Sequence, residues 1–382
     1  MLTSALTGDL IETPIYNSIS DKSITSLSQI INGGTKVYYD SKIGHLQTNE
    51  ITDINKYYDE EYRFFDQSDE DDILYKVIDE KKIFRQQHQL DTLLLKVEFK
   101  SGMKILDYGC AKGTVLKRLY AKRQDIIPYL FDVSQMYVPL WKSFLNAEQY
   151  ASYNPREEWN GLFDIVTSFF AFEHVQDPLK ELASIKKLIK PEGLIYMIVP
   201  NVYENAGDFI VADHVHHYSE VSLNYMFLKA GFQVVEIDNT SHFGAYIIIA
   251  RNSDQHLDFK ADTNKLEKIK VTSLNLAGYW RDLQSKINSF ENAMGNKKAA
   301  IYGAGVYGNF IAISLKDFDK IDSFIDQNPL LQGKPILNKP VTLPNNISKE
   351  IEIIYVGLNP VTAKAAMEKL NLDKSKLKFF YL

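Results

Sequence analysis

From Lys104 onward, short apolar runs alternate with segments whose apolar residues recur every three or four positions, the pattern of a parallel sheet crossed by helices. Ile105-Leu106 leads into the loop Asp107-Tyr108-Gly109-Cys110-Ala111-Lys112-Gly113, and Val115, Leu116, Leu119 and Tyr120 then mark one helix face. The run Ile126 to Phe131 ends at Asp132, and Ile165-Val166-Thr167 follows Phe163-Asp164. Leu179, Leu182, Ile185 and Leu188 predict an amphipathic helix stopped by Pro191 and Gly193, with a strand from Leu194 to Val199 after it. The turn between the runs Phe232 to Ile237 and Ala245 to Ala250 is too short for a helical crossover, so these strands should be antiparallel. Residues 85–252 thus read as one α/β domain.

With 382 residues the chain exceeds a single core, and further units are expected on both sides. Residues 1–84 are polar and aromatic; the acidic run Ser68 to Asp72 suits a solvated turn or helix start, and Leu74, Val77 and Ile78, then Leu90, Leu93 and Leu94, fall at helical spacing. Residues 253–270 look linker-like. Leu276, Tyr279, Leu283, Ile287, Phe290 and Met294 then form a narrow helical seam that could brace the domains or pair with a second copy as a homodimer. From 296 to 382 a smaller α/β unit follows, with Ala299 to Tyr302 as strand, Gly303 to Gly308 as loop and Ile321 to Ile325 and Ile351 to Val356 as further strands.

Composition narrows the function. A net charge of -6 without a basic stripe argues against nucleic acid or an anionic membrane, and favours small-molecule chemistry. No apolar run approaches about 18 residues and no secretion signal is read, so a cytoplasmic protein without membrane insertion is expected. Cys110 is the single cysteine, which excludes an internal disulfide and a cysteine-built zinc site.

The loop after the first strand of such a sheet is where a nucleotide-sized ligand binds. Gly109 and Gly113 allow close backbone approach, Ala111 is the next smallest choice, and the helix start offers N–H groups to a carboxylate. Asp107 can meet an ammonium, and Asp132 can accept from both hydroxyls of a ribose. These residues, with Phe163-Asp164-Ile165-Val166, Glu173-His174-Val175 and Ala230-Gly231-Phe232, resemble class I SAM-dependent methyltransferases. The resemblance covers about 85–252 and implies a Rossmann-like seven-stranded sheet with S-adenosylmethionine bound by Asp107, Gly109, Ala111, Gly113, Asp132 and Phe169. Ala111 departs from the family's glycine, a change the loop should tolerate.

The second loop, Gly303-Ala304-Gly305-Val306-Tyr307-Gly308 with Asp326 about twenty residues on, matches a dinucleotide fingerprint, so an NAD(P)-dependent oxidoreductase is a rival reading. The segment with Phe324 to Pro329 and Gly333-Lys334 also resembles the C-terminal domain of nucleotide-sugar C-methyltransferases. That resemblance implies a smaller Rossmann-like C-terminal domain, a sugar or sugar-nucleotide substrate, and substrate contacts from Gly303 and Gly305; equally, the loop could be structural. The family's N-terminal zinc module is matched only at Gly44 to Gln47 and Tyr57 to Tyr62. Asp40 and Ile43 replace a cysteine pair, so no metal is expected there, while the stretch could form a lid with Tyr62 touching substrate.

Methyl transfer from a sulfonium is an in-line displacement that chiefly needs the acceptor held close. A hydroxyl or a carbon beside a ketone must also lose a proton, for which a neutral histidine is suited. Asp213-His214-Val215-His216-His217 follows the strand ending at Val199. Resemblance to the sugar C-methyltransferases implies His214 as base with Asp213 orienting it or binding substrate; His174 and His217 are further candidates for catalysis and substrate contact. Adjacent histidines on an extended segment diverge, so no metal is assigned. A SAM-binding protein without turnover is the other rival.

Overall fold

The computed structural model describes residues 1–51, 72, 74–78, 81–253, 258–370 and 374–382. Tyr62 and most of the acidic run lie outside the described residues. Beyond short N-terminal hairpins, the chain order is β1 (Tyr16–Asn17), β2 (Lys36–Asp40), β3 (His45–Thr48), α1 (Arg85–Lys96), β4 (Lys104–Tyr108), α2 (Thr114–Lys122), β5 (Ile127–Asp132), β6 (Tyr150–Ser152), β7 (Phe163–Phe169), α3 (Pro178–Leu188), β8 (Ile189–Pro200), β9 (His216–His217), α4 (Glu220–Lys229), β10 (Phe232–Asp238) and β11 (Ala245–Asn252). There follow α5 (Thr263–Met294), β12 (Ala299–Tyr302), α6 (Val306–Ser314), β13 (Ile321–Ile325), β14 (Val341–Thr342), β15 (Ile353–Val356), α7 (Pro360–Glu368) and β16 (Lys378–Tyr381).

The central sheet has seven strands in the order β6-β5-β4-β7-β8-β11-β10. β11 runs against both neighbours, and the other neighbouring pairs are parallel. Strands with apolar residues on both faces are what such a sheet requires, because helices cover each side: Ile195 to Val199 of β8 are all fully buried. The order reverses between β4 and β7, which opens a crevice at their carboxyl ends. Asp72 accepts the N–H groups of Gln86 and Gln87 at 2.8 and 2.9 Å and pairs with Arg118 at 2.7 Å, so it serves the start of α1.

Two expectations fail in the flanks. Leu74–Ile78 and Lys81–Phe84 form an antiparallel hairpin, not a helix. The linker-like stretch contains the start of α5, a 32-residue helix capped by Asp262, whose side chain accepts from Asn264 and Lys265.

The seam of α5 packs within the chain. Trp280 is fully buried, donates its indole N–H to the Ala206 carbonyl at 3.0 Å and stacks on Tyr307, while Leu283 and Ile287 join the core under β12. The helix thereby ties the loop after β8 to the C-terminal sheet, whose five parallel strands run β14-β13-β12-β15-β16. The N-terminal residues add an antiparallel sheet β9-β3-β2-β1, in which β9 comes from the histidine-rich segment. Among the described residues no helix is long and apolar enough to cross a membrane.

Candidate active site

A cavity of about 990 Å³ extends from the loop after β4 to the segment around His214 and to Val306 and Tyr307 at the start of α6. Its first wall is set by backbone geometry. Gly109 and Gly113 lie at φ +74° and +69°, and a Cβ there would come within 2.7 Å of Ala171 and 2.6 Å of Leu130. Ala111 also lies at positive φ, +46°, a cost of about 1 kcal/mol or more. The bend is fastened by the N–H groups of Gly109 and Cys110 on the Phe131 carbonyl, at 2.9 and 3.1 Å.

Asp132 Oδ2 accepts the Ala111 N–H at 2.8 Å and Oδ1 accepts the Ser134 N–H at 3.0 Å. A carboxylate has about four acceptor sites, so lone pairs remain for a ribose diol. Asp107 is 2% exposed and takes the Thr167 hydroxyl at 3.0 Å. Burial, helped by the Asp132 charge, pushes its carboxyl up to about 7 against the pull of Thr167. Asp107, Gly109, Ala111, Asp132 and Phe169 all line the cavity. Gly113 does not; it starts α2, and its carbonyl accepts the Lys117 N–H.

The second wall gathers side chains from three segments. Glu173 and His174 sit on the short turn Phe172–His174 after β7, Asp208 on the turn Ala206–Ile210 after β8, and His214 ahead of β9. His214 donates from Nδ1 to Asp208 Oδ1 at 2.5 Å, and His217 donates from Nδ1 to Asp208 Oδ2 at 2.8 Å. His174 donates from Nδ1 to the Asp213 carbonyl at 2.8 Å, and the His174 and His214 rings meet edge to face at 4.7 Å. Glu173 is 1% exposed, and its Oε2 has no hydrogen-bond partner among the described residues.

Burial alone would lower the basicity of His214, but the charge and hydrogen bond of Asp208 outweigh it and raise the ring to about 9. The same contacts, with those of His217, hold Asp208 well below the carboxylate range despite burial. Burial lowers His174 to about 4, assisted by His214, and raises Glu173 to about 7.

Three sequence-based expectations need correction. Asp213 does not orient His214. Its carboxylate is held by the Ser26 N–H and hydroxyl, both at 2.6 Å, because the N-terminal turn packs against it, and Asp208 takes the orienting role. The neutral form expected of His214 is disfavoured, since the charge and hydrogen bond of Asp208 favour its protonated ring, so a proton must leave before it acts as a base. His217 is absent from the cavity lining: it is 1% exposed and its second nitrogen meets the Thr48 hydroxyl at 2.9 Å. Alternation along β9 sends His216 the other way, onto His45 at 2.9 Å.

The second glycine loop is closed by packing. Gly303 and Gly308 abut each other and Gly357, and neither Gly303 nor Gly305 lines the cavity. Asp326 accepts the Ala304 N–H at 2.8 Å, the same contact that Asp132 makes with Ala111. Asp208 and Ser26 went unnoticed in the sequence reading. Glu173 was noticed only as part of a motif.

A doubly wound sheet with one reversed strand, a left-handed bend after its first strand and an acid ending the next are the layout of class I SAM-dependent methyltransferase domains. Residues 82–237 match the family model described as a methyltransferase domain, and a domain of this class takes S-adenosylmethionine as its cofactor. Among curated relatives, the chain is 27% identical over 133 residues to the ubiquinone biosynthesis O-methyltransferase of Aliivibrio fischeri, covering 31% of this chain and 55% of that protein. It is 28% identical over 145 residues to the enzyme of the same name from Thiobacillus denitrificans, covering 34% and 59%. The chain thus spans little more than half the length of these relatives. Solved structures that overlap it include a SAM-dependent methyltransferase from Aquifex aeolicus, with 22% identity, a TM-score of 0.36 and coverage of 44% of this chain and 90% of that one. Another, from Mesorhizobium loti, gives 14%, 0.34, 43% and 97%.

Proposed function

We propose that this protein transfers the methyl group of S-adenosylmethionine to an oxygen of a small-molecule acceptor. The observation that carries this reading is the continuity of one cavity from the Asp107 to Asp132 wall to Glu173, His174 and His214. The donor's methionine and ribose halves are held on the first wall, and the acceptor faces the second. As the acceptor's lone pair forms the new O–CH3 bond, the S–CH3 electron pair passes to sulfur, leaving S-adenosylhomocysteine. The acceptor's proton must depart, which falls to the wall that carries the histidines and Glu173. Oxygen is favoured over carbon by the ubiquinone biosynthesis O-methyltransferases among the relatives.

A sugar acceptor is a second reading, favoured by one observation. Val306 and Tyr307 of the C-terminal unit line the far end of the same cavity, so an acceptor with an extended polar portion would reach that unit. The deciding experiment is mass spectrometry of products after incubation with labelled SAM and parallel panels of phenols and of dTDP-, GDP- and CDP-sugars. Label in the phenols alone excludes the sugar reading, and label in neither panel despite SAM binding removes the catalytic one. If reduced nicotinamide raised the melting temperature while SAM did not, the protein would be an oxidoreductase instead.

A further inference from the structure

We propose that Glu173, His174 and His214 form a binding site for one divalent first-row transition ion, of the Zn2+ or Mn2+ type, in the wall of the methyl-transfer cavity. One donor atom from each of the three lies within 4.8 Å of the others. Two imidazoles and one carboxylate are the ligand set of open, catalytic metal sites, where positions not taken by protein remain for water or substrate. Metal bonds of about 2.0–2.2 Å would bring tetrahedral donors to about 3.4 Å apart, so binding requires the donors to draw together by roughly 1 Å.

The surroundings carry the inference further than the triad alone. Metal-bound histidines commonly donate their other N–H to a carboxylate or a backbone carbonyl, which fixes the ring and strengthens the ligand. Both partners are present: His214 donates to the Asp208 carboxylate at 2.5 Å, and His174 to the Asp213 carbonyl at 2.8 Å. Since both rings spend Nδ1 on these outer contacts, Nε2 would be the ligand atom, and His214, whose protonated ring Asp208 favours, would release its Nε2 proton as the ion binds. Glu173 supplies an independent sign. A carboxylate oxygen buried without a hydrogen-bond partner is costly, and coordination would satisfy it. Glu173 and Asp208 together also match the two charges of the ion.

The three ligands come from two separated stretches, 173–174 and 214, so no ligand spacing announces them. His216 and His217, which do stand beside His214 in sequence, point elsewhere. For methyl transfer, the ion gives the cavity a Lewis acid: an acceptor hydroxyl bound to it would lose its proton to water near neutral pH and meet the methyl group as an alkoxide or phenolate. This last step rests on the proposed function; binding of the ion does not.

The test uses the full chain, stripped with a chelator and titrated with Zn2+ by calorimetry, with Co2+ as a spectroscopic probe. One Zn2+ per chain is expected, with a visible Co2+ band. Glu173→Gln and His174→Ala should each lower Zn2+ affinity by at least ~10-fold, while SAM affinity, measured separately, stays within about twofold. His88→Gln serves as a control at the neighbouring His88 and His242 pair, whose rings lie 4.7 Å apart. The proposal is overturned if folded chain that binds SAM takes up no ion, if the two ligand variants bind as the parent does, or if His88→Gln abolishes uptake. Ion binding without SAM binding would instead overturn the methyltransferase reading and leave this site standing.

Discussion

Asp132 reaches back from the end of β5 to accept the backbone N–H of Ala111 at 2.8 Å, which couples the shape of the SAM loop to the residue expected to hold the ribose. Replacement by alanine removes the ligand contact and loosens the bend at once. Hydrogen bonds to a charged acceptor contribute about 1.5–3 kcal/mol each, so Asp132→Ala should weaken SAM binding by at least ~10-fold in calorimetry. Asp132→Asn, which keeps one acceptor oxygen, should fall between. Equal affinity in all three proteins would remove the ribose assignment.

SAM affinity should also depend on pH near neutrality. On the proposed reading the donor's ammonium meets Asp107 and needs it ionised, yet burial raises this carboxyl to about 7, with Asp132 as the charged neighbour and the Cys110 thiol beside them. Affinity should therefore fall below pH 7, approaching tenfold per unit. The sign for stability is the reverse: the folded chain binds the proton that the unfolded chain has lost between about pH 4 and 7, so this group costs stability as pH rises through that window. Calorimetric titrations across the window check the first effect, and Asp107→Asn should flatten the profile.

Much of the central sheet was legible because each strand is a short apolar run and each crossover a periodic one. The misreadings have physical causes. Leu74, Val77 and Ile78 fit helical spacing, but so short a run fits a strand equally, and the partner Lys81–Phe84 decides the matter through pairing. The first turns of α5 are largely exposed, and Leu266 and Ile269 alone make too short an apolar stripe to read, so only Asp262 marks the start. In the site, the first wall is local in sequence, from 107 to 132, so its cavity-lining residues stand close together in the chain. The second wall is not: Asp208 is six residues from His214 on an irregular turn, and Ser26 meets Asp213 across 187 positions.

Asp208 holds two histidines with one carboxylate, so its replacement should separate positioning from cofactor binding. Asp208→Asn keeps the volume but loses the charge that aims His214. With the proposed ion in place, turnover should drop by roughly 10- to 100-fold, the usual cost of losing a partner behind a metal ligand, with SAM affinity unchanged. Asp208→Ala would further strand His217 and Thr48 in the core and should cost about 3 kcal/mol or more in denaturant unfolding. Parental turnover in Asp208→Asn would show that the aim of His214 is immaterial.

The second glycine loop can be dissected by where a methyl group fits. At Gly308 a Cβ would stand 1.8 Å from the Gly303 carbonyl oxygen, and no side chain can move to relieve a backbone clash. Gly308→Ala should cost roughly 1–3 kcal/mol or more and lower the melting temperature. At Gly305 the nearest atom is the Ser28 hydroxyl at 4.0 Å and φ is -94°, which suits any residue. Gly305→Ala should change stability by no more than about 0.5 kcal/mol. That contrast makes Gly305 the informative position: since the fold does not demand glycine there, a loss of acceptor binding in Gly305→Ala, read as a raised KM at constant melting temperature, would assign the loop to substrate. An unchanged KM would mean that the loop's glycines serve the packing of β12 against α6 alone.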